Sequence, residues 1–365
     1  MRIYTLSSKD EVHRYKKSIV VDFAGRRKVL STAPLNGGYQ TELTGVFNND
    51  GNPGAGMSCV MRAPTYEEHM AIIAEKDLGL DPRTVCGIGT AASMDNVSIQ
   101  SGTYDDFTVT AIVTGGIEVN GGRVGDPASW HEKQGKTVDT KLGTINIILF
   151  IDADLTEGAL TRAVVTCTEA KTAAIQELLA PSRYSMGLAT GSGTDGTILI
   201  SNAESAVKLT NAGKHSKLGE YIGRTVKAAV KEALNLQSGL CPDYQHHVIR
   251  RMDRFGMTED RLWMDYSANQ EQEGLSRLAF THYFHEMARE KVLVTYTSLY
   301  AHLLDQLSWG LLDEQEAAMA GSQLRILMGM GETAASGIGE MIQSYCDGIL
   351  SLITKRAEEE QNAEY

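Results

Sequence analysis

Residues 144–151 read TINIILFI, and residues 156–178, after four intervening residues, read TEGALTRAVVTCTEAKTAAIQEL. The first run is β-branched, strand-sized and apolar on both alternations, which predicts a strand buried on both faces. In the second, Leu160, Ala163/Val164, Cys167, Ala170, Ala174 and Leu178 step by three and four behind Thr156, a residue suited to an N-cap, with Glu157 in the first turn. The spacing predicts a helix over 156–179, about 36 Å long. A buried strand feeding an amphipathic helix is the unit of an α/β fold.

Working outward, SIVVDF (18–23), DFTVTAIVTGG (106–116) and GTILIS (196–201) repeat the strand texture. Thr65–Lys76 and Lys217–Leu236 repeat the helical one, the latter with Ser216 as its N-cap and Ile222, Val226, Ala229/Val230 and Ala233 on one stripe. The N-terminal part is therefore assigned to the α/β class, with α+β as the alternative arrangement of the same sheet and helices. After Gly239 the β-branched runs nearly vanish. Residues 250–310 and 311–356 read as helices, with Gly329, Gly331, Gly337 and Gly339 marking helix ends or close packing. This divides the chain into a domain over 1–238 and an all-helical domain or extension over 239–365.

The whole chain has 365 residues and a formal charge of −12. Residues 241–365 carry 10 Lys+Arg against 20 Asp+Glu, and the first 240 carry 24 against 26. Neither part has the basic surplus that neutralising a phosphate backbone requires, so no nucleic-acid partner is expected. Five cysteines, odd in number and without a CxxC pair, support neither a disulfide framework nor a structural zinc site. The first residues lack an apolar signal region and no run approaches a membrane span, so a cytoplasmic protein without membrane insertion is expected.

Polar clusters interrupt the apolar patterns. Asn36 lies in PLNGG (34–38) and Asn48 in VFNN (46–49), where Asn beside Gly ordinarily marks a turn. Asn146 sits inside the buried run, and a buried carboxamide needs partners for its donor and its acceptor. It either pins a neighbouring loop or meets an amide of a ligand. On the predicted helix Glu169 and Lys171 are about 200° apart and do not face each other, Glu169 sharing a side with Thr172 and Thr166. TGSGTDG (190–196) has three glycines and three hydroxyls ahead of a strand, a donor-rich loop suited to an anion or oxyanion. Its Asp195 is either an acid/base or a turn former. GKHSK (213–217) puts His215 at a helix start, where the dipole opposes its protonation. His282, His285 and Glu286 have helical spacing suited to a metal, but beside Tyr283 and Phe284 they read as packing, and no metal site is expected.

In order, LSTAPLNGGY, FNN, TVTAIVTGGIEVNGGRVGDPA, GTINIILFID, TEGALTRAVVTCTEAKTAAIQEL, ATGSGTDGTILIS and NAGKHSKLGEYIGRTVKAAVKEAL resemble the adenosylcobinamide amidohydrolase (CbiZ) family, from about Val29 to Leu236. EAKTAA, TGxGTD and GKHxKLGE are specific in combination. This chain has GSGTD where the family more often has GTGTD, and the acidic C-terminal third lies outside the resemblance.

The resemblance implies hydrolysis of the amide joining the corrin propionyl group to aminopropanol, giving adenosylcobyric acid for cobalamin salvage. It implies no cofactor beyond the cobalt of the substrate and a corrinoid as the small-molecule partner, with a homo-oligomer left open. Carried onto this sequence, Glu169 or Asp195 would activate water, and Lys171 or the backbone at Gly193–Thr194 would hold the oxyanion. His215 would protonate the leaving amine and Lys217 would position it. Asn36, Asn48, Asn146 and Thr172 would meet the carboxamide-edged ring together with Gly193 and Thr194. A covalent route through Ser192 or Thr194 is the rival mechanism. The rival function is a corrinoid-binding or regulatory module without turnover. Both require the scattered polar segments to converge on one hollow.

Overall fold

The computed structural model describes residues 1–54, 59–128, 143–268 and 274–363. They divide into two compact units, residues 1–241 and 242–365. The first unit holds β1 (Arg2–Thr5), β2 (Glu11–Tyr15), β3 (Ser18–Asp22), β4 (Arg27–Ser31), β5 (Gly38–Gln40), β6 (Gly45–Asp50) and β7 (Val85–Thr90). It continues with β8 (Ser98–Tyr104), β9 (Phe107–Gly116), β10 (Gly121–Gly122), β11 (Thr144–Ile151), β12 (Asp154–Leu155), β13 (Gly191–Ser192), β14 (Gly196–Asn202) and β15 (Lys208–Leu209). Its helices are α1 (Tyr66–Ile72), which runs on as a π-helical turn over Ile73–Leu78, α2 (Glu157–Glu177) and α3 (Lys217–Ser238).

Two sheets carry the unit, one ordered β1-β2-β3-β6-β7 and the other β5-β4-β14-β11-β9-β8. The buried run β11 is central in the second, parallel to β14 and antiparallel to β9. Alternation then sorts the side chains. Ile19, Val21, Val46, Cys86 and Ile88 of the first sheet meet Ile112, Ile148, Phe150, Ile198 and Ile200 of the second in one core. Val20, Phe47 and Val85 point the other way, under Met70, Ile73, Ala74 and Leu78. The far face of the second sheet is covered by α2 and α3, which pack on each other, with α3 over β8 and β9. The result is four layers, helix–sheet–sheet–helix. The N-cap expectations hold: Thr156 accepts from the Ala159 N–H and Ser216 from the Gly219 N–H.

Register fixes which ends of the strands lie together. Asn146 stands opposite Thr114 near the end of β9 and opposite Gly196 at the start of β14, and it donates to the Gly89 carbonyl at the end of β7. The starts of β11 and β14 and the ends of β6, β7 and β9 thus share one end of the sandwich. The β8–β9 turn, Tyr104–Phe107, is at the other.

The second unit is helical: α4 (Pro242–Gln245), α5 (Val248–Met252), α6 (Glu259–Ala268), α7 (Arg277–Met287), α8 (Lys291–Ser308), α9 (Glu314–Leu327) and α10 (Ile338–Ala363). Its core gathers Phe280, Phe284, Tyr300, Leu304, Tyr345, Ile349 and Ile353. The long helical stretch read over 250–310 is broken, at Gly256 among other places, where φ is +82°. Gly329, Gly331 and Gly337 also take positive φ, Gly329 just past the end of α9, Gly331 in the connection and Gly337 immediately before α10, whereas Gly339 lies within α10. His282 and His285 pack at the edge of the aromatic cluster, His282 with its ring 5.5 Å from that of Tyr283 and His285 5.7 Å from Phe284 and 6.2 Å from His247. Both are exposed, paired with Glu286 at 3.5 Å and Glu259 at 3.2 Å respectively. Phe280 and Phe284 fill the core behind them.

Candidate active site

The loop between α2 and β14 closes on the end of the sandwich where β11 begins. Asp195 is its hub. One carboxylate oxygen, Oδ1, accepts from the Ile145 N–H at 2.9 Å and from the Ser192 hydroxyl at 2.6 Å. The other, Oδ2, accepts from the Ser192 N–H at 3.1 Å and from the Lys171 ammonium, which makes a close ion pair with it. Both charged side chains are only 12% exposed. Four donors occupy the four lone-pair positions of the carboxylate. Lys171 reaches the loop because it lies on the sheet-facing side of α2. Gly191 is required beneath the pair, since a Cβ there would stand 2.3 Å from Asp195 Oδ2 and 2.8 Å from Lys171 Nζ.

Around this hub Thr194 is exposed, its hydroxyl donating to the Gly143 carbonyl at 2.9 Å and lying 2.7 Å from that of Thr144. Gly193 is exposed with open space at its Cβ position. Thr172 donates to the Thr190 carbonyl at 3.2 Å, tying the loop to α2. Lys171, Thr172, Gly193, Thr194 and Asp195 are therefore brought together.

Beneath them, Asn146 (1% exposed) resolves the choice left by the sequence in favour of pinning. Its amide donates to Asn48 Oδ1 at 2.8 Å and to the Gly89 carbonyl at 2.9 Å, and its Oδ1 accepts from the Gly196 N–H at 3.0 Å. Asn48 in turn donates to Thr114 at 2.8 Å. This ladder joins the two sheets under the site and offers no free carboxamide to a ligand. Asn36, at φ +50°, likewise spends its amide on the Pro82 and Val85 carbonyls, at 2.7 and 2.8 Å.

Glu169, His215 and Lys217 do not join the hub. Glu169 is exposed on the solvent side of α2, 3.2 Å from Lys214, as its 200° offset from Lys171 requires. Lys217 pairs with Glu220 at 2.8 Å and lies over the Tyr104 ring, 5.1 Å from its centroid, in the β8–β9 turn. His215, exposed two residues earlier, belongs to this helix start. The loop that carries His215 is instead tied to α2, where Thr166 donates to the Ala212 carbonyl at 2.8 Å and Lys214 pairs with Glu169, and none of these contacts reaches Asp195 or Lys171. The expected convergence of Glu169, Asp195 and His215 on one hollow is corrected accordingly. A polar motif preceding a helix marks where the helix begins, and α3 begins beside Tyr104 of the β8–β9 turn.

Cys59 and His69 form a pair that sequence reasoning missed, ten residues apart and linked only by the fold. His69 Nδ1 accepts from the Arg62 N–H at 3.1 Å, which places the ring proton on Nε2, 3.7 Å from Cys59 Sγ. Burial holds the imidazole below its usual pKa and pushes the thiol above its own. The ring is thus a donor toward sulfur and not a base for it. Cys167 lies in the core, as expected, its thiol pushed up to about 12 by burial. Among the described residues no group of three or more His, Cys, Asp or Glu side chains is placed to hold a metal ion, and no helix is long and apolar enough to cross a membrane.

Comparison with known proteins gives consistent relationships. Residues 3–242 match the model of the adenosylcobinamide amidohydrolase family. Over 229 residues, 60% of this chain and 86% of the relative, the sequence is 36% identical to an uncharacterized protein of Methanocaldococcus jannaschii. Over 221 residues, 58% of this chain and 92% of the relative, it is 27% identical to the adenosylcobinamide amidohydrolase of Methanosarcina mazei. Among solved structures, the PH0078 protein of Pyrococcus horikoshii aligns over 70% of this chain and 89% of its own at 14% identity, with a TM-score of 0.29. With two thirds of its length matched by the family model, the chain belongs to the adenosylcobinamide amidohydrolase family.

Proposed function

We propose that this protein hydrolyses the amide between the corrin propionyl group and aminopropanol in adenosylcobinamide, and that the chemistry takes place at Ser192, Asp195 and Lys171. Family membership supports the reaction class. The observation that carries the assignment of residues is the 2.6 Å hydrogen bond from the Ser192 hydroxyl to an Asp195 carboxylate already filled by three other donors. With no lone pair left for a water, the hydroxyl that Asp195 activates is that of Ser192. This favours the covalent route over direct attack by water.

In this reading Ser192 Oγ bonds to the carbonyl carbon as its proton passes to Asp195. Lys171 balances the negative charge, whether it rests on Asp195 or on the substrate oxygen, together with backbone N–H at Gly193. Collapse breaks the C–N bond as the proton moves from Asp195 to the departing amine. Water then cleaves the ester by the same path, regenerating Ser192 and releasing the acid. General-base assistance of this kind is worth roughly 10²–10⁴-fold. The cobalt enters as part of the substrate, and no resident metal is needed.

Incubating the full chain with adenosylcobinamide and quantifying free aminopropanol tests the reading. Release that disappears in Ser192→Ala, with corrinoid binding retained, is expected. Binding without release in the wild-type chain would instead make it a corrinoid-binding module.

A further inference from the structure

In the second unit a hollow of about 210 Å³ lies where the ends of α7 and α9 meet the start of α8 and one side of α10. Its floor is apolar. Met287, Leu293 and Met328 are 2%, 3% and 7% exposed, and Leu352 of α10 is half-buried with them. Val292, more exposed, carries the apolar lining to the edge. An apolar cavity of roughly 150 Å³ is enough to hold benzene, so this one takes a side chain of that size. Two of the floor residues are methionines, whose unbranched side chains adapt to occupants of different shape.

The rim is charged, with both signs equally represented. Arg356 of α10 makes a close ion pair with Glu290, the residue before α8, and Lys355 lies 3.8 Å from Glu359. Leu352, Lys355, Arg356 and Glu359 recur at three- and four-residue spacing, so a single face of α10 supplies apolar floor and charged rim together. Glu290 stands at the N-cap of α8 without a side-chain capping bond, so its carboxylate is not engaged by the helix.

Charge balance decides what can settle there. A simple anion at Arg356 would strand Glu290, and a simple cation at Glu290 would strand Arg356. A zwitterion meets both: its carboxylate replaces Glu290 on Arg356, its ammonium replaces Arg356 on Glu290, and no charge loses its partner. We infer that the hollow binds a free α-amino acid with an apolar side chain. That side chain rests on Met287, Leu293, Met328 and Leu352, and its two charged groups pair with Arg356 and Glu290. The inference is independent of the reaction proposed above and gives the helical unit a ligand of its own.

Titration calorimetry of the full chain tests it, with leucine, methionine and phenylalanine as probes. Each should bind saturably, and alanine should bind about tenfold weaker or more, since it fills little of the floor. N-acetyl-leucine, which lacks the ammonium, and leucine amide, which lacks the carboxylate, should each bind at least about tenfold weaker than leucine. Arg356→Gln and Glu290→Gln, both at partly exposed positions, should each raise the Kd of leucine about tenfold with the far-UV circular dichroism unchanged. Ser192→Ala, in the other unit, should bind leucine as the wild type does. Absence of saturable binding by all three probes in the millimolar range would overturn the inference. So would equal affinities for leucine, N-acetyl-leucine and leucine amide, or unchanged leucine binding in both rim variants.

Discussion

Asp195 accepts four hydrogen bonds and Ser192 supplies two of the donors, so the consequences of altering either can be ranked. Ser192→Ala removes the proposed nucleophile while sparing the Lys171–Asp195 pair, and aminopropanol release should fall at least about 10³-fold with the fold intact. Lys171→Met leaves a poorly solvated carboxylate without its counter-charge and should cost both activity and stability, the latter by about 3 kcal/mol in chemical denaturation. By contrast, Glu169→Gln and His215→Ala touch exposed groups away from the hub, and rates within about twofold of wild type are expected in a steady-state assay. At this scale the sequence was informative about residue type and less so about direction. Asp195, Thr194 and Ser192 stood out because hydroxyls, glycines and a lone carboxylate crowd residues 190–196, and Lys171 because it is a charge within an otherwise largely apolar helix. Nothing local told His215 from a residue facing the same cleft, since a helix start looks alike at either end of a sheet.

Among the elements, the ladder Thr114–Asn48–Asn146–Gly196 joins the two sheets beneath the loop. Asn146→Ala would strand the Asn48 carbonyl, the Gly89 carbonyl and the Gly196 N–H, and should lower stability by about 3–5 kcal/mol, read by denaturant titration of the full chain. In the second unit His247 caps α5 by accepting the Ile249 N–H on Nδ1. Burial, aided by Arg289, Arg250 and His285 and opposed by Glu259, holds its pKa down to about 4. The unfolded chain therefore binds a proton between about pH 6.5 and 4 that the folded chain refuses. The contribution is complete above pH 6.5 and lost as pH falls toward 4, so thermal stability should drop across that window and drop less in His247→Asn. α2, α3 and the strands β3, β9, β11 and β14 were legible because their periods are long and uninterrupted. Most of the first sheet was not. β1 and β2 are short and polar on the wet side, and β7, VCGIGT, carries glycines that admit the Phe47 ring and Tyr66 hydroxyl where side chains would otherwise stand. Glycine in a strand reads as a loop until its neighbours are known.

For the whole molecule, the apolar clusters of residues 1–241 and 242–365 are closed within each unit, and the family match ends at residue 242. A chain ending at Cys241 should therefore fold and release aminopropanol at a rate near that of the full protein, the acidic helical unit serving another purpose. Dialysis of the full chain against a chelator should leave turnover unchanged, as the proposed chemistry takes its polarising charge from Lys171. The most direct test compares aminopropanol release from adenosylcobinamide by the wild-type chain, Ser192→Ala and His215→Ala at equal corrinoid saturation. The account predicts release by the wild type and His215→Ala and none by Ser192→Ala. Undiminished release by Ser192→Ala, with His215→Ala inactive, would contradict it.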